Sequence, residues 1–85
     1  MKGEEILQKA LQAFATGKNS YGTPEIFFRN VAKRWSLIIG REITAADVIK
    51  CMIEFKMERL DFDPTHTDSI IDVAGYAACL AEVAP

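Results

Sequence analysis

Apolar residues recur along this chain with the period of helices, in four blocks separated by turn-forming residues. In the first block Ile6, Leu7, Ala10, Leu11 and Phe14 fall on one stripe. Glu4 and Glu5 precede it, where the positive end of a helix dipole favours acidic residues. Gly17 predicts the stop, and residues 17–23 read as a loop. Thr23-Pro24-Glu25 announces the second block: Thr23 can cap, Pro24 suits the first helical position and Glu25 complements the dipole. Phe27 or Phe28, Val31, Trp35 and Ile38 form its stripe, and Gly40 ends it. The third block opens at Thr44, with Asp47 three residues on in the spacing of a capping box. Val48, Ile49, Met52, Ile53, Met57 and Leu60 line up there, while Phe55 lies away from them. Residues 61–66 read as a loop, because Pro64 forces its predecessor out of helical geometry. Thr65 or Thr67 can cap a fourth helix that carries Ala74, Ala77, Ala78 and Ala81, with Gly75 in its middle. A glycine there costs about 1 kcal/mol relative to alanine. A tight helix crossing or the close approach of a ligand would offset it.

The expected fold is all-α: a small four-helix bundle with helices at about 3–16, 24–39, 45–60 and 67–83, one domain over residues 1–85. No segment shows the strict alternation of a strand. A bundle of 85 residues buries a modest core. The second and third helices look apolar on more than one side, and the spare surface predicts a homo-oligomer, a dimer or larger.

Composition narrows the function classes. Half the chain is apolar (49%) and a quarter charged (26%), which is ordinary globular usage. Ten Lys and Arg against twelve Asp and Glu give a net charge of −2. A chain without a basic surplus is not expected to bind DNA or RNA through released counterions. No apolar run approaches the roughly 18–20 residues of a membrane span, and the start of the chain turns acidic at once, unlike a signal peptide. Cys51 and Cys79 stand 28 apart among apolar residues and are expected as buried, reduced thiols of a cytoplasmic protein.

Candidate chemistry gathers around the third and fourth helices. Glu54 and Glu58 share one helix face, as do Asp68 and Asp72. If the two helices pack antiparallel, these four carboxylates could face each other and hold Mg²⁺ or Mn²⁺. Their plain alternative is a solvated surface. Lys18, Lys56 and Arg59 could bracket a phosphate, with Tyr21 or Tyr76 stacking on a base. Asp68, Asp72 and Tyr76 fall on one stripe, and the structural alternative there has Asp72 holding Arg59. His66, just before a helix N-terminus, is of a type that can act as acid or base, or serve as a cap-region residue. No nucleophilic triad and no P-loop order is present.

The run Gly17-Lys18-Asn19-Ser20-Tyr21-Gly22-Thr23-Pro24-Glu25, followed by Phe28, Val31-Ala32 and Trp35, resembles the opening of a family of small phage and prophage proteins of unknown function. The resemblance continues through Glu42-Ile43-Thr44, Asp47-Val48, Lys56 and Arg59-Leu60. It closes on His66-Thr67-Asp68-Ser69-Ile70-Ile71-Asp72-Val73-Ala74-Gly75-Tyr76-Ala77-Ala78, its most specific part. That family in turn is similar to the all-α MazG-like nucleoside triphosphate pyrophosphohydrolases. The resemblance implies an oligomeric helical protein that handles nucleotides with Mg²⁺. Those enzymes carry ExxE and ExxD, whereas Glu54 and Glu58, like Asp68 and Asp72, are spaced by four. A binding protein that has lost hydrolysis fits these departures. The expected ligand-binding residues are therefore Lys18, Tyr21, Lys56, Arg59, His66 and Tyr76, with Glu54, Glu58, Asp68 and Asp72 as the metal set. The competing expectation is a non-enzymatic interaction module that binds a host or phage protein, with the charged cluster purely structural.

Overall fold

A computed structural model describes residues 1–84, apart from the side chains of Lys18 and Asn19. Four helices follow one another: α1 (Gly3–Tyr21), α2 (Pro24–Ile39), α3 (Ala45–Phe62) and α4 (Thr67–Val83). No strand occurs among the described residues. The all-α four-helix bundle expected from periodicity is the observed fold, and α2 and α4 have the expected bounds.

Two helices outrun their expected ends. α1 passes through Gly17 and stops at Gly22. Gly22 has φ +84° and ψ −164°, a conformation essentially confined to glycine. A glycine ends a helix where the backbone needs such an angle, and Gly17 does not adopt a positive φ. α3 continues to Phe62, because Pro64 constrains only Asp63, which is extended at φ −135° and ψ 91°.

The caps hold the bundle's corners. The Thr23 hydroxyl accepts from the Ile26 N–H at 3.4 Å. Thr44 and Asp47 form a reciprocal capping box: the Asp47 N–H donates to Thr44 Oγ1 at 3.1 Å and the Thr44 N–H to Asp47 Oδ2 at 3.0 Å. These bonds from Thr44 hold the Asp47 carboxyl below its ordinary value of 3.8. The cap of α4 is neither Thr65 nor Thr67 but His66, whose Nδ1 lies 3.3 Å from the Ser69 N–H. Thr65 instead turns onto Asp63 Oδ1 with both its N–H and its hydroxyl. Gly40 ends α2 in the left-handed region at φ +81° and donates its N–H to the Ser36 carbonyl at 2.9 Å. The Ser36 hydroxyl donates to the Ala32 carbonyl at 2.7 Å and accepts from the Ile43 N–H at 2.9 Å, pinning the α2–α3 connection to α2.

α4 packs most extensively against α3 and then against α1. α2 leans on α3 and α4 but barely meets α1, and α1 makes no close approach to α3. Among the described residues the buried set is small: Ala10, Pro24, Ala32, Val48 and Ile49, with Ser69. Leu7, Leu11, Ile38 and Met57, expected to face inward, are exposed instead. A helix that is apolar around much of its circumference can bury only the arc its neighbours cover. The cysteines differ from expectation too: Cys51 is exposed and Cys79 half-buried, and neither is in a disulfide. No described helix is long and apolar enough to cross a membrane.

Candidate functional site

An open groove of about 510 Å³ lies between the C-terminal end of α1, the N-terminal end of α2 and the middle of α4. It exists because α1 and α2 part from the Gly22 turn and hardly touch afterwards. An aromatic row runs along it. Tyr21 and Phe27 have ring centroids 5.5 Å apart, Phe27 and Phe28 meet edge-on at 5.2 Å, and Phe28 and Tyr76 at 6.3 Å. Such tilted and edge-to-face pairs are the favoured arrangement of aromatic quadrupoles. Two consecutive phenylalanines are about 100° apart on a helix, so both cannot point into one core. Here Phe28 is half-buried, Phe27 is exposed, and both line the groove.

Gly75 also lines the groove. A Cβ built on it would meet nothing within 4 Å. The tight helix crossing that would have offset this glycine is therefore absent, and its surface faces the groove.

One ion pair sits at the groove's edge. Asp72, on the groove wall, accepts from Lys56 Nζ at 3.0 Å, joining α4 to α3. The same ammonium stands 5.8 Å from the Phe55 ring centroid. Burial pushes the Tyr76 phenol above its ordinary value; Lys56 opposes the shift and Asp72 adds to it. Arg59 does not bind Asp72, as the structural alternative had it. Its Nη2 reaches His66 Nε2 at 3.1 Å, while His66 Nδ1 lies 2.8 Å from the buried Ser69 hydroxyl. α3 and α4 run antiparallel across a short turn, so each step along α3 meets an earlier residue of α4. Lys56 thus meets Asp72, and Arg59 meets His66.

The structure brings Tyr21, Asp72 and Tyr76 together on the groove, with Lys56 at its edge, and places Arg59 and His66 as a second pair toward the α3–α4 turn. The Lys18 side chain lies outside the described residues. Glu54, Glu58 and Asp68 are exposed, away from the groove. Among the described residues no group of three or more His, Cys, Asp and Glu comes together that could hold a metal ion. The reason is helical geometry. Lys56 faces Asp72, and Glu54 and Glu58, each two residues from Lys56, stand about 160° around the helix from it. The expected set of Glu54, Glu58, Asp68 and Asp72 thus does not fit Mg²⁺. Sequence reasoning missed Phe14, Phe27 and Phe28 as groove residues, treating them as core.

No solved structure matches this chain. Among curated proteins it is similar to the Gene 55 protein of Mycobacterium phage D29, at 35% identity over 81 residues. That match covers 94% of this chain and 54% of the phage protein, so the chain spans about half the length of that relative. The expected kinship with phage proteins of unknown function therefore holds. With the family model for a domain of unknown function (DUF6378) matching residues 5–84, nearly its whole length, the chain belongs to that family.

Proposed function

We propose that the protein binds a small, flat, ring-bearing ligand of the nucleobase or nucleotide class in the groove between α1, α2 and α4. The aromatic row from Tyr21 to Tyr76 carries this reading, since rings beside an open groove offer stacking faces to a planar guest. The groove's volume, about 510 Å³, falls within the range of small-molecule sites. Asp72 offers an acceptor to an exocyclic amine, and Lys56 offers a cation to a phosphate. The reading stops at binding: the donor set of a MazG-like Mg²⁺ centre is not gathered among the described residues, so no hydrolytic step is assigned.

The test is a thermal-shift screen of common and cyclic nucleotides, with and without Mg²⁺ and Mn²⁺. A ligand at 100 times its Kd adds about 2.7 kcal/mol. In a domain of this size that moves the midpoint by roughly 10 °C or more. The expected result is a metal-independent shift that Asp72→Asn sharply reduces. A flat screen overturns the reading. It would favour the interaction module, which draws support from Leu37 and Ile38, 85% and 84% exposed on α2.

A further inference from the structure

The polar lining of the groove is lopsided. Asp72 is a charged residue on its walls, and no Lys, Arg or His joins it there among the described residues. Lys56 stands at the edge, its ammonium held by Asp72 Oδ2 at 3.0 Å and lying 5.8 Å from the Phe55 ring centroid. A phosphate brought inside would set its negative charge against the Asp72 carboxylate, with a single ammonium to serve both. In an open groove it can instead stay in water. The base end of a nucleotide meets the opposite conditions. Its faces suit the aromatic rings, and its N–H groups suit an acceptor.

α4 sets that acceptor beside the rings. Asp72, Gly75 and Tyr76 share one face of the helix. A long side chain on a helix leans toward the helix N-terminus, so the Tyr76 ring leans toward Asp72. Gly75 adds no side chain beside them. Phe28 meets Tyr76 at 6.3 Å with the ring planes 71° apart, so these two rings form a corner and not a closed stack. A flat guest lodged in that corner has an edge against Asp72.

The ion pair selects that edge. A carboxylate only accepts, through two oxygens with about four lone-pair positions, and Lys56 takes one of them. The acceptors that remain suit two neighbouring donors, and the ammonium suits an acceptor next to those. Guanine has this edge: N2–H2 and N1–H adjacent, then O6. Adenine and cytosine place one amino group beside a ring acceptor. Uracil has one N–H between two carbonyls, which a carboxylate repels. Given a ring-bearing guest in the groove, as proposed above, we infer that the guest is guanine, as base or nucleoside, with N1–H and N2–H2 on Asp72, O6 toward Lys56 and any phosphate outside.

Calorimetric titration with guanosine, inosine, adenosine, cytidine, uridine and GMP tests this. Inosine lacks only the 2-amino group. Guanosine is expected to bind about tenfold or more tighter than inosine, the loss that goes with one hydrogen bond to a charged group. It is also expected to bind tighter than the other three nucleosides. GMP is expected within about fivefold of guanosine, because a charge left in water contributes little. Asp72→Asn, with helical circular dichroism retained, is expected to close the gap between guanosine and inosine, since an amide offers one accepting oxygen where the carboxylate has two. A variant that weakens both nucleosides alike and keeps the gap overturns the role of Asp72. In the wild type, inosine binding as tightly as guanosine overturns the inference without any variant, as does a tighter fit of another base. GMP binding where guanosine does not overturns the exclusion of phosphate. Groove binding survives each of these results, whereas silence from every compound here and in the thermal-shift screen overturns groove binding and the guanine inference together.

Discussion

Gly75 is a residue whose cost has a visible destination. Alanine in its place would favour the helix by about 1 kcal/mol, and the added Cβ would meet nothing within 4 Å. Gly75→Ala is therefore expected to raise the melting midpoint by about 4–8 °C while weakening the shift produced by a groove ligand. Scanning fluorimetry with and without the ligand checks both at once, and a stabilised variant that binds undiminished would remove Gly75 from the site. The oddity of this glycine was legible in the sequence, because propensity flags it without coordinates. Which of its two explanations held was not, since that depends on what α4 faces. Asp72 and Tyr76 were legible in the same partial way: one turn apart, they share a stripe, and both line the groove. Asp68, on that same stripe one turn earlier, is exposed and off the groove.

At the scale of elements, short-range chemistry was read well and long-range choice was not. Thr23, Thr44 and Asp47 act through neighbours three residues away, so their spacing alone located two helix starts. The end of α1 was misplaced because a glycine permits a stop without requiring one. The sequence places His66 in the cap region but favours Thr65 or Thr67 as the cap itself, because side-chain oxygens are the usual acceptors at that position. The α3 cap yields a pH dependence with a definite sign. The Asp47 carboxyl is held below 3.8 by its bonds from Thr44, so its contribution to stability is present above that value. It is lost as the pH falls through the lower value of the folded state. Asp47→Asn imitates the protonated side chain. The variant is expected to melt below the wild type at neutral pH, and the gap is expected to close in acid. Paired melting curves across that range check it, and a gap that widens in acid would contradict the assignment.

For the whole molecule, periodicity identified a helical bundle but not how little of it would be buried. A stripe of apolar positions marks the apolar face of a helix; it does not say which neighbours arrive to cover that face. Leu7, Leu11 and Ile38 illustrate this, each aligned with a core stripe in sequence and exposed in the fold. With Ala10, Pro24, Ala32, Val48 and Ile49 as the buried apolar residues, the described fold has a thin core. If association completes it, folding is linked to concentration. The melting midpoint is then expected to climb by several degrees over about a hundredfold rise in protein concentration. Calorimetry at two concentrations measures this, and coincident midpoints would mean that the thin core suffices.

The parting of α1 from α2 at Gly22 has a mechanical consequence. One wall of the groove is joined to the next through a single glycine and is held chiefly by α4, with the Tyr21–Phe27 contact beside the turn. The angle between the two walls is then tied to the torsion at one backbone position, and a residue with a Cβ there would strain the turn and alter that angle before it touched any guest.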